Sequence, residues 1–285
     1  MKEKLILNEC PRDAMQGLTQ FVPTATKIKY INALLRVGFN RLDFGSFVSP
    51  KSIPQLRDTG EVLGKLDLSQ SKSSLLAIVA NYRGAEQAVE FDEVNFIGFP
   101  LSISQQFQKR NTNKTIEEAI EELARIQNLC LIREKNLIVY LSMAFGNPYN
   151  ETYSPDLVIE RGQEMVDLGV KFLSVSDTVG MAEPEAVKSL FETVSGYWKE
   201  VEITAHLHAN PIHATQKIAA AWDAGCRRFD VALGGYGGCP MAEDELVGNL
   251  STERMLDWAK EKNLETGLHL ANLKIASEML MEVFH

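Results

Sequence analysis

Two histidines close an apolar segment in the last third of the chain. Residues 203–210 read ITAHLHAN, with His206 and His208 two positions apart. Side chains of a β-strand alternate between its two faces, so both imidazoles would leave one face while Leu207 points the other way. Two imidazoles on one face can ligate one metal ion. The alternative is a pair of hydrogen-bonded histidines in a half-buried strand, and only the rest of the sequence discriminates between the two.

Composition limits what can surround these histidines. The chain has 285 residues, 45% hydrophobic and 24% charged, which predicts one large α/β domain over residues 1–285. A net charge of −9 without a long basic run argues against nucleic acid or an anionic membrane surface as partner. No leader and no apolar run of about 20 residues is found, so we expect a cytoplasmic protein without a membrane span. Wide spacing predicts free thiols at the four cysteines, Cys10, Cys130, Cys226 and Cys239.

Strand-like and helix-like segments alternate along the chain. Runs rich in β-branched and aromatic residues lie at about 4–9, 39–46, 75–80, 93–98, 136–143, 170–176, 201–208 and 227–233. Apolar spacings of three and four predict helices at about 25–37, 53–66, 114–134, 155–168, 183–199 and 212–225. Eight such units predict a (β/α)₈ TIM barrel at about 4–250, with closing helices at 251–285. A doubly wound open sheet is the alternative, disfavoured because no GxGxxG turn follows the first strand.

Polar residues cluster at the predicted ends of the strands. Barrel enzymes carry their chemistry on the loops that follow the carboxyl ends of the strands. The residues in such positions are Arg12, Asp13, Asp43, Asn81, Ser142, Asp177, Thr178, His206, His208, Cys239 and Asn249. Each has a structural alternative, since Asp177 could form an Asx turn and Cys239 could be an inert buried thiol. Their gathering at one rim favours a functional site.

Five motifs in a fixed order carry a family resemblance. They are PRDAMQG after the first strand, SFVSPK at 46–51, SDTVG at 176–180, HLH at 206–208 and GGYGGCP at 234–240. In this order they resemble the 3-hydroxy-3-methylglutaryl-CoA (HMG-CoA) lyase branch of the DRE-TIM metallolyases, over nearly the whole chain. The resemblance implies a divalent cation, Mg²⁺ or Mn²⁺ first and Co²⁺ or Zn²⁺ as alternatives. The metal ligands that it implies are Asp13, His206, His208 and Asn249.

The same resemblance implies a reaction and roles for named residues. The reaction is retro-Claisen cleavage of HMG-CoA, or of a related 3-hydroxyacyl-CoA, to acetyl-CoA and acetoacetate. Arg12 would stabilise the enolate oxygen, and Asp177 or Asp43 would take the hydroxyl proton. Cys239 would protonate the released enolate. The residues then expected to bind the substrate are Asn81, Ser142 and Thr178.

Other functions are weighed on particular features. Asp43 stands where the lyases usually carry a glutamate, which could alter the substrate accepted. Claisen-condensing acyltransferases and aldolases of the superfamily share the metal site, but the absence of residues beyond the barrel and the GGCP sequence favour cleavage. An inactive metal-binding barrel that acts as a binding protein is disfavoured, because Arg12, Asp13 and Cys239 are all present. The expected partner is a small acyl-CoA, and pairing through outer helices predicts a homodimer.

Overall fold

The strands form a closed parallel barrel in chain order. The structure, a computed structural model, describes residues 2–238 and 247–285. Each strand pairs with the next along the chain, and the first pairs with the last. The strands are β1 (Ile6–Glu9), β2 (Arg41–Ser46), β3 (Ser74–Ile78), β4 (Val94–Ser102), β5 (Asn136–Ser142), β6 (Phe172–Asp177), β7 (Glu202–Leu207) and β8 (Arg228–Val231). The predicted TIM barrel is confirmed.

Helices surround the barrel and follow it. They are α1 (Pro11–Gln16), α2 (Thr24–Leu35), α3 (Thr59–Leu63), α4 (Tyr82–Ala88), α5 (Gln105–Thr112), α6 (Ile116–Ile132), α7 (Pro155–Asp167), α8 (Pro184–Tyr197), α9 (Ala214–Asp223), α10 (Thr252–Glu261), α11 (Leu270–Glu278) and α12 (Leu280–Phe284). Short 3₁₀ helices lie at Pro54–Leu56 and Leu233–Gly235. The last three α-helices are the predicted closing helices. Within the described residues, no helix has both the length and the apolar character that crossing a membrane requires.

Local sequence signals set where several helices begin. Thr115 Oγ1 accepts the N–H of Glu118, and the Glu118 carboxylate accepts the N–H of Thr115, so α6 starts with a capping box. Pro155 and Pro184 occupy the first turns of α7 and α8, where a missing N–H costs no helical hydrogen bond. These signals terminate the preceding loops and return the chain along the outside of the barrel.

Alternation along the strands separates two buried regions. Ala205 and Leu207 belong to the core between the strands and the helices, so His206 faces the barrel interior. One side of that interior is apolar, formed by Leu76, Ile78, Phe96, Ile138 and Tyr140. The other side is polar and buried, formed by Asn8, Asp43, Ser174, His206 and Asp230. The polar side is where chemistry can be placed inside an otherwise apolar barrel.

Two predicted elements differ most from the structure in extent. The helix predicted at 53–66 is a 3₁₀ turn at Pro54–Leu56 followed by the five-residue α3. Asp58, between the two, accepts hydrogen bonds from Thr24 Oγ1 and Lys27 Nζ of α2, which fixes a break in the helix there. The strand predicted at 93–98 extends to Ser102, because its second half pairs with β5.

Candidate active site

Arg12 and Asp13 lie in a short helix rather than in the predicted loop. Pro11 occupies the first turn of α1 directly after β1, and both charged residues are buried. Arg12 donates from Nε and Nη2 to the Asp43 carboxylate, with an Nη2–Oδ2 distance of 2.6 Å. Its Nη1 donates to Asp13 Oδ1 at 3.1 Å and to Gln16 Oε1 at 2.8 Å. The guanidinium is thereby fixed between two carboxylates at the top of the barrel.

Three of the four predicted metal ligands lie together. One ligand atom each from Asp13, His206 and His208 falls within 4.8 Å of the others, and all three residues are buried. His208 Nε2 is 4.0 Å from Asp13 Oδ2. Oxygen and nitrogen ligands of one octahedral ion lie roughly 3 to 4 Å apart, so a small closure around a cation suffices. Neither ring nitrogen of His208 has a hydrogen-bond partner of normal geometry, and a cation would satisfy one of them.

Asn249, the fourth predicted ligand, is held next to this group by the backbone. It forms an antiparallel bridge with His208, and Leu250 N donates to Leu207 O at 3.2 Å. Its side-chain Nδ2 donates to Asp13 Oδ2 at 2.7 Å and to Tyr236 O at 3.0 Å. The segment after the undescribed residues 239–246 therefore returns Asn249 to the ends of β7 and β8.

At Asp13 and His208 the local electrostatics favour the protonation states that bind a cation. Burial alone would raise the pKa of Asp13, but the positive charge of Arg12 and the two histidines lower this pKa to about 2. Burial and the neighbouring His206 lower the pKa of His208 to about 4. At neutral pH Asp13 is a carboxylate and His208 is a neutral imidazole, the forms that ligate metals.

Asp43 has the environment of a proton acceptor. It lies on β2, faces the barrel interior and is 1% exposed. Burial raises its pKa to about 6, against the opposing effect of Arg12. A carboxylate with a pKa near neutrality can take a proton in catalysis and release it again.

Asp177 has a different environment from the one expected of a free base. Its Oδ2 accepts from Lys217 Nζ at 2.6 Å and from Ala182 N at 3.2 Å. Lys217 also donates to the carbonyl oxygens of Gly180, at 2.8 Å, and His208, at 3.0 Å. This buried ion pair ties α9 to the ends of β6 and β7. Lys217 was not predicted, although a lysine within the apolar stretch of α9 is a usable sequence signal.

The remaining predicted residues lie at strand ends or beyond them. Asn81 is the N-cap of α4, and its Oδ1 accepts from Gly84 N at 2.8 Å. Thr178 Oγ1 accepts from Met143 N at 2.9 Å. Ser142 is the buried last residue of β5. Cys239 lies outside the described residues.

Two buried carboxylates in the barrel, Asp230 and Glu9, were not predicted as functional residues. Asp230 Oδ2 lies 3.0 Å from His206 Nδ1 on the polar side of the interior. Glu9, completely buried at the end of β1, accepts from Leu233 N and Thr252 Oγ1, both at 2.7 Å. For both residues, the sequence signal was an acidic side chain inside a run that otherwise has strand character.

Comparison with known proteins places this arrangement in a family. The model of the HMGL-like family matches residues 5–280. The chain belongs to the HMGL-like family. The predicted resemblance to HMG-CoA lyases and the predicted enzyme class, a lyase, are thereby confirmed.

HMGL-like relatives cover nearly the full chain. Hydroxymethylglutaryl-CoA lyase of Bacillus subtilis is 31% identical over 95% of this chain and 90% of the relative. (R)-citramalyl-CoA lyase of Chloroflexus aurantiacus is 32% identical over 98% of this chain and 90% of the relative. The structure of an HMG-CoA lyase from Acinetobacter baumannii, in complex with coenzyme A and 3-methylmalate, matches with a TM-score of 0.91 and 32% identity. That match covers 99% of this chain and 92% of the other.

Proposed function

We propose that this protein is a divalent-metal-dependent carbon–carbon lyase. Its substrate is HMG-CoA, cleaved to acetyl-CoA and acetoacetate, or a related 3-hydroxyacyl-CoA. The observation that carries the proposal is the buried group of Asp13, His206 and His208, placed directly beside Arg12. The names of the HMGL-like relatives supply the substrate class.

The donor set suits a hard or borderline divalent cation. Asp13, His206 and His208 would hold it. Asn249 would join them through Oδ1 once its amide, which donates from Nδ2 to Asp13 Oδ2, has turned around. Mg²⁺ or Mn²⁺ is the first candidate, with Co²⁺ or Zn²⁺ as alternatives. When bound, the cation supplies positive charge that lowers the pKa of the substrate hydroxyl and orients the substrate. The unsatisfied ring nitrogens of His208 are the feature of this chain that supports such a ligand.

Asp43 and Arg12 account for both charges that develop during cleavage. Asp43 removes the proton from the tertiary hydroxyl, and the electrons of that O–H bond form the new carbonyl. The carbon–carbon bond breaks, and its electron pair moves into the thioester as an enolate. Arg12, already hydrogen-bonded to Asp43, donates to the enolate oxygen, since a fixed cation stabilises charge that appears only in the transition state.

Asp177 and Cys239 have different roles in the proposed reaction. We assign Asp177 to positioning, because its partner Lys217 also donates to the carbonyl oxygen of His208 and so links Asp177 to the strand end that carries a predicted metal ligand. By resemblance, the Cys239 thiol donates a proton to the enolate carbon, which completes acetyl-CoA. Asn81, Ser142 and Thr178 stay predicted as substrate contacts.

Citramalyl-CoA is the second candidate substrate. Asp43 is shorter by one methylene than the glutamate usual in the lyases, which alters the space around the reacting hydroxyl. A relative named for citramalyl-CoA is as similar as the relatives named for HMG-CoA. The same bond cleavage would then release acetyl-CoA and pyruvate.

One assay separates these functions. Metal-stripped protein is supplied with Mg²⁺ or Mn²⁺ and a thiol reductant, and product release is measured from HMG-CoA and citramalyl-CoA in parallel. We expect cleavage of at least one, abolished by EDTA and reduced at least ~100-fold in His208→Ala. His213→Ala, an exposed histidine outside the group, is the matched control and should retain activity. Metal binding without turnover of any 3-hydroxyacyl-CoA would contradict the lyase and favour condensation or a binding role.

A further inference from the structure

Asp230 is the partner of only one of the two adjacent histidines. It lies on β8, is 3% exposed, and places Oδ2 3.0 Å from His206 Nδ1. Its Oδ1 accepts from Asn8 Nδ2 at 2.8 Å, which fixes the plane of the carboxylate. Ser174 Oγ makes a longer contact of 3.4 Å with Oδ2. His208 has no such partner among the described residues.

This contact determines which nitrogen of His206 carries the proton. An ionised carboxylate only accepts hydrogen bonds, so Nδ1 donates, and in the neutral imidazole Nε2 then carries no proton. The unprotonated nitrogen is then the one available to the group that contains Asp13 and His208. In metal sites, such outer carboxylates orient the ring and raise the basicity of the ligand nitrogen.

We propose that Asp230 is a positioning residue that holds His206 in the tautomer and ring orientation needed to bind the cation. The inference rests on the proposed metal site and extends it to a residue that does not touch the cation or the substrate. Asn8 acts through Asp230, because it holds the oxygen that does not face His206.

The alternative role for Asp230 is that of a metal ligand, together with Cys10 and His206. Ligand atoms of Cys10, His206 and Asp230 also lie within 4.8 Å of one another. A thiol ligand suits Zn²⁺ or Cu⁺ better than Mg²⁺ or Mn²⁺, the first candidates for this site. The 3.0 Å contact between Asp230 and His206 is that of a hydrogen bond.

The first test is the affinity for Mn²⁺, measured by titration calorimetry on metal-stripped protein. Asp230→Ala should raise the dissociation constant for Mn²⁺ ~10- to 100-fold, and activity should recover in part at saturating Mn²⁺. Ser174→Ala removes the longer contact to the same carboxylate and is the matched control, expected within about twofold of wild type. Unchanged Mn²⁺ affinity in Asp230→Ala would overturn the proposal.

The second test reads the tautomer directly. Long-range ¹H–¹⁵N spectra of the metal-free protein should show His206 protonated at Nδ1 in the wild type and mixed or inverted in Asp230→Ala. This readout does not need the metal, so it separates the two proposals. Failure of wild-type protein to bind Mn²⁺ would contradict the metal-dependent function, whereas a tautomer unaffected by Asp230→Ala would contradict the positioning role.

An exchange of side chains provides a rescue that conserves volume. In Asn8→Asp combined with Asp230→Asn, the amide at position 230 would donate to the carboxylate at position 8 and turn its oxygen toward His206 Nδ1. We expect the double variant to bind Mn²⁺ more tightly than Asp230→Leu, a variant of similar volume that has no acceptor for His206 Nδ1. Equal or weaker binding would contradict the proposal, and this comparison stands independently of whether the alanine variant folds.

Discussion

The fourth predicted metal ligand depends on a close approach of the glycine-rich segment. Gly237 has a φ of +110°, and a Cβ there would lie 2.4 Å from Asn249 Nδ2 and 3.1 Å from Asp13 O. Only glycine combines this backbone conformation with this proximity. The absence of a side chain at Gly237 therefore lets Asn249 and the Asp13 backbone approach this segment closely.

Gly237→Ala should weaken Mn²⁺ binding beyond the loss of folding stability that any side chain at a positive φ causes. The added methyl group must displace Asn249, and we expect a dissociation constant for Mn²⁺ raised ~10-fold or more. Gly225→Ala is the matched control, because its φ of +92° imposes similar strain while no atom lies within 4 Å of the added Cβ. Both variants should lose ~1–2 kcal/mol of stability to the positive φ. Equal Mn²⁺ affinities in the two variants would argue against a positioning role for Gly237.

Asp43 and Asp177 can be distinguished by their separate effects on turnover and stability. Asp43→Asn should lower kcat by ~10²- to 10⁴-fold because the general base is lost. Asp177→Asn leaves Lys217 buried without its anion, and should cost ~3–5 kcal/mol of stability with a smaller loss in kcat. Steady-state kinetics and thermal unfolding of both variants test this. The opposite pattern, a folded and inactive Asp177→Asn, would make Asp177 the base.

The site was partly predictable from local sequence. Period-two spacing places His206 and His208 side by side, with ring centroids 5.2 Å apart. Asp13 and Asn249 lie 236 positions apart, so only the family resemblance could associate them. Lys217 and Asp230 are visible locally as charges in apolar stretches. Local patterns carry no record of their partners, which lie 40 and 24 positions away.

Among the helices, length decided which ones could be predicted. The eight strands were found as runs rich in β-branched and aromatic residues, and the long helices by apolar spacings of three and four. The helices α1, α4 and α5 were missed, since six to eight residues are too few to show a helical period. Of these, α1 matters most for function, because it carries both Arg12 and Asp13.

The closing helix α12 contacts the glycine-rich segment through stacked rings. Tyr236 and Phe284 lie 4.2 Å apart at an interplanar angle of 5°, and Tyr30 meets the edge of Phe284 at 6.3 Å. The carbonyl of Tyr236 accepts the side chain of Asn249. The end of the described chain is thus packed against a segment that positions a predicted metal ligand.

Phe284→Ala should loosen that segment. Loss of the stacked pair should cost ~1–3 kcal/mol and accelerate amide hydrogen exchange in residues 233–238. Met281→Ala is the control on the same helix, because Met281 is 69% exposed. Exchange rates in 233–238 that match between the two variants would show that the stacking does not restrain the segment.

Across the whole molecule, a buried carboxylate outside the site closes the barrel. Glu9 ends β1 and accepts hydrogen bonds from Leu233, which follows β8, and from Thr252, which begins α10. It therefore joins the first strand to the last connection of the barrel. Its position on the helix-facing side separates it from the polar interior, because Asn8 before it points inward.

The homodimer and the cytoplasmic location expected from the sequence stay predictions.

Glu9 should make the stability of the whole barrel depend on pH. Burial raises its pKa to about 8, despite the two hydrogen bonds that oppose this shift. A pKa higher in the folded than in the unfolded state means that the neutral acid stabilises the fold. This stabilisation is complete below an unfolded pKa of about 4.3 and is lost as the pH rises through about 8, at no more than ~1.4 kcal/mol per pH unit.

Glu9→Gln should remove this dependence, because an amide can accept from Leu233 N and donate to Thr252 Oγ1 at every pH. The measurement is the thermal midpoint of both proteins, without metal, at pH 5.5, 7.0 and 8.5. The midpoint of the variant should rise relative to wild type as the pH increases, whereas Glu200→Gln, an exposed glutamate, should follow wild type throughout. A constant difference between Glu9→Gln and wild type would mean that Glu9 is already ionised in the folded barrel, held as a carboxylate by its two donors.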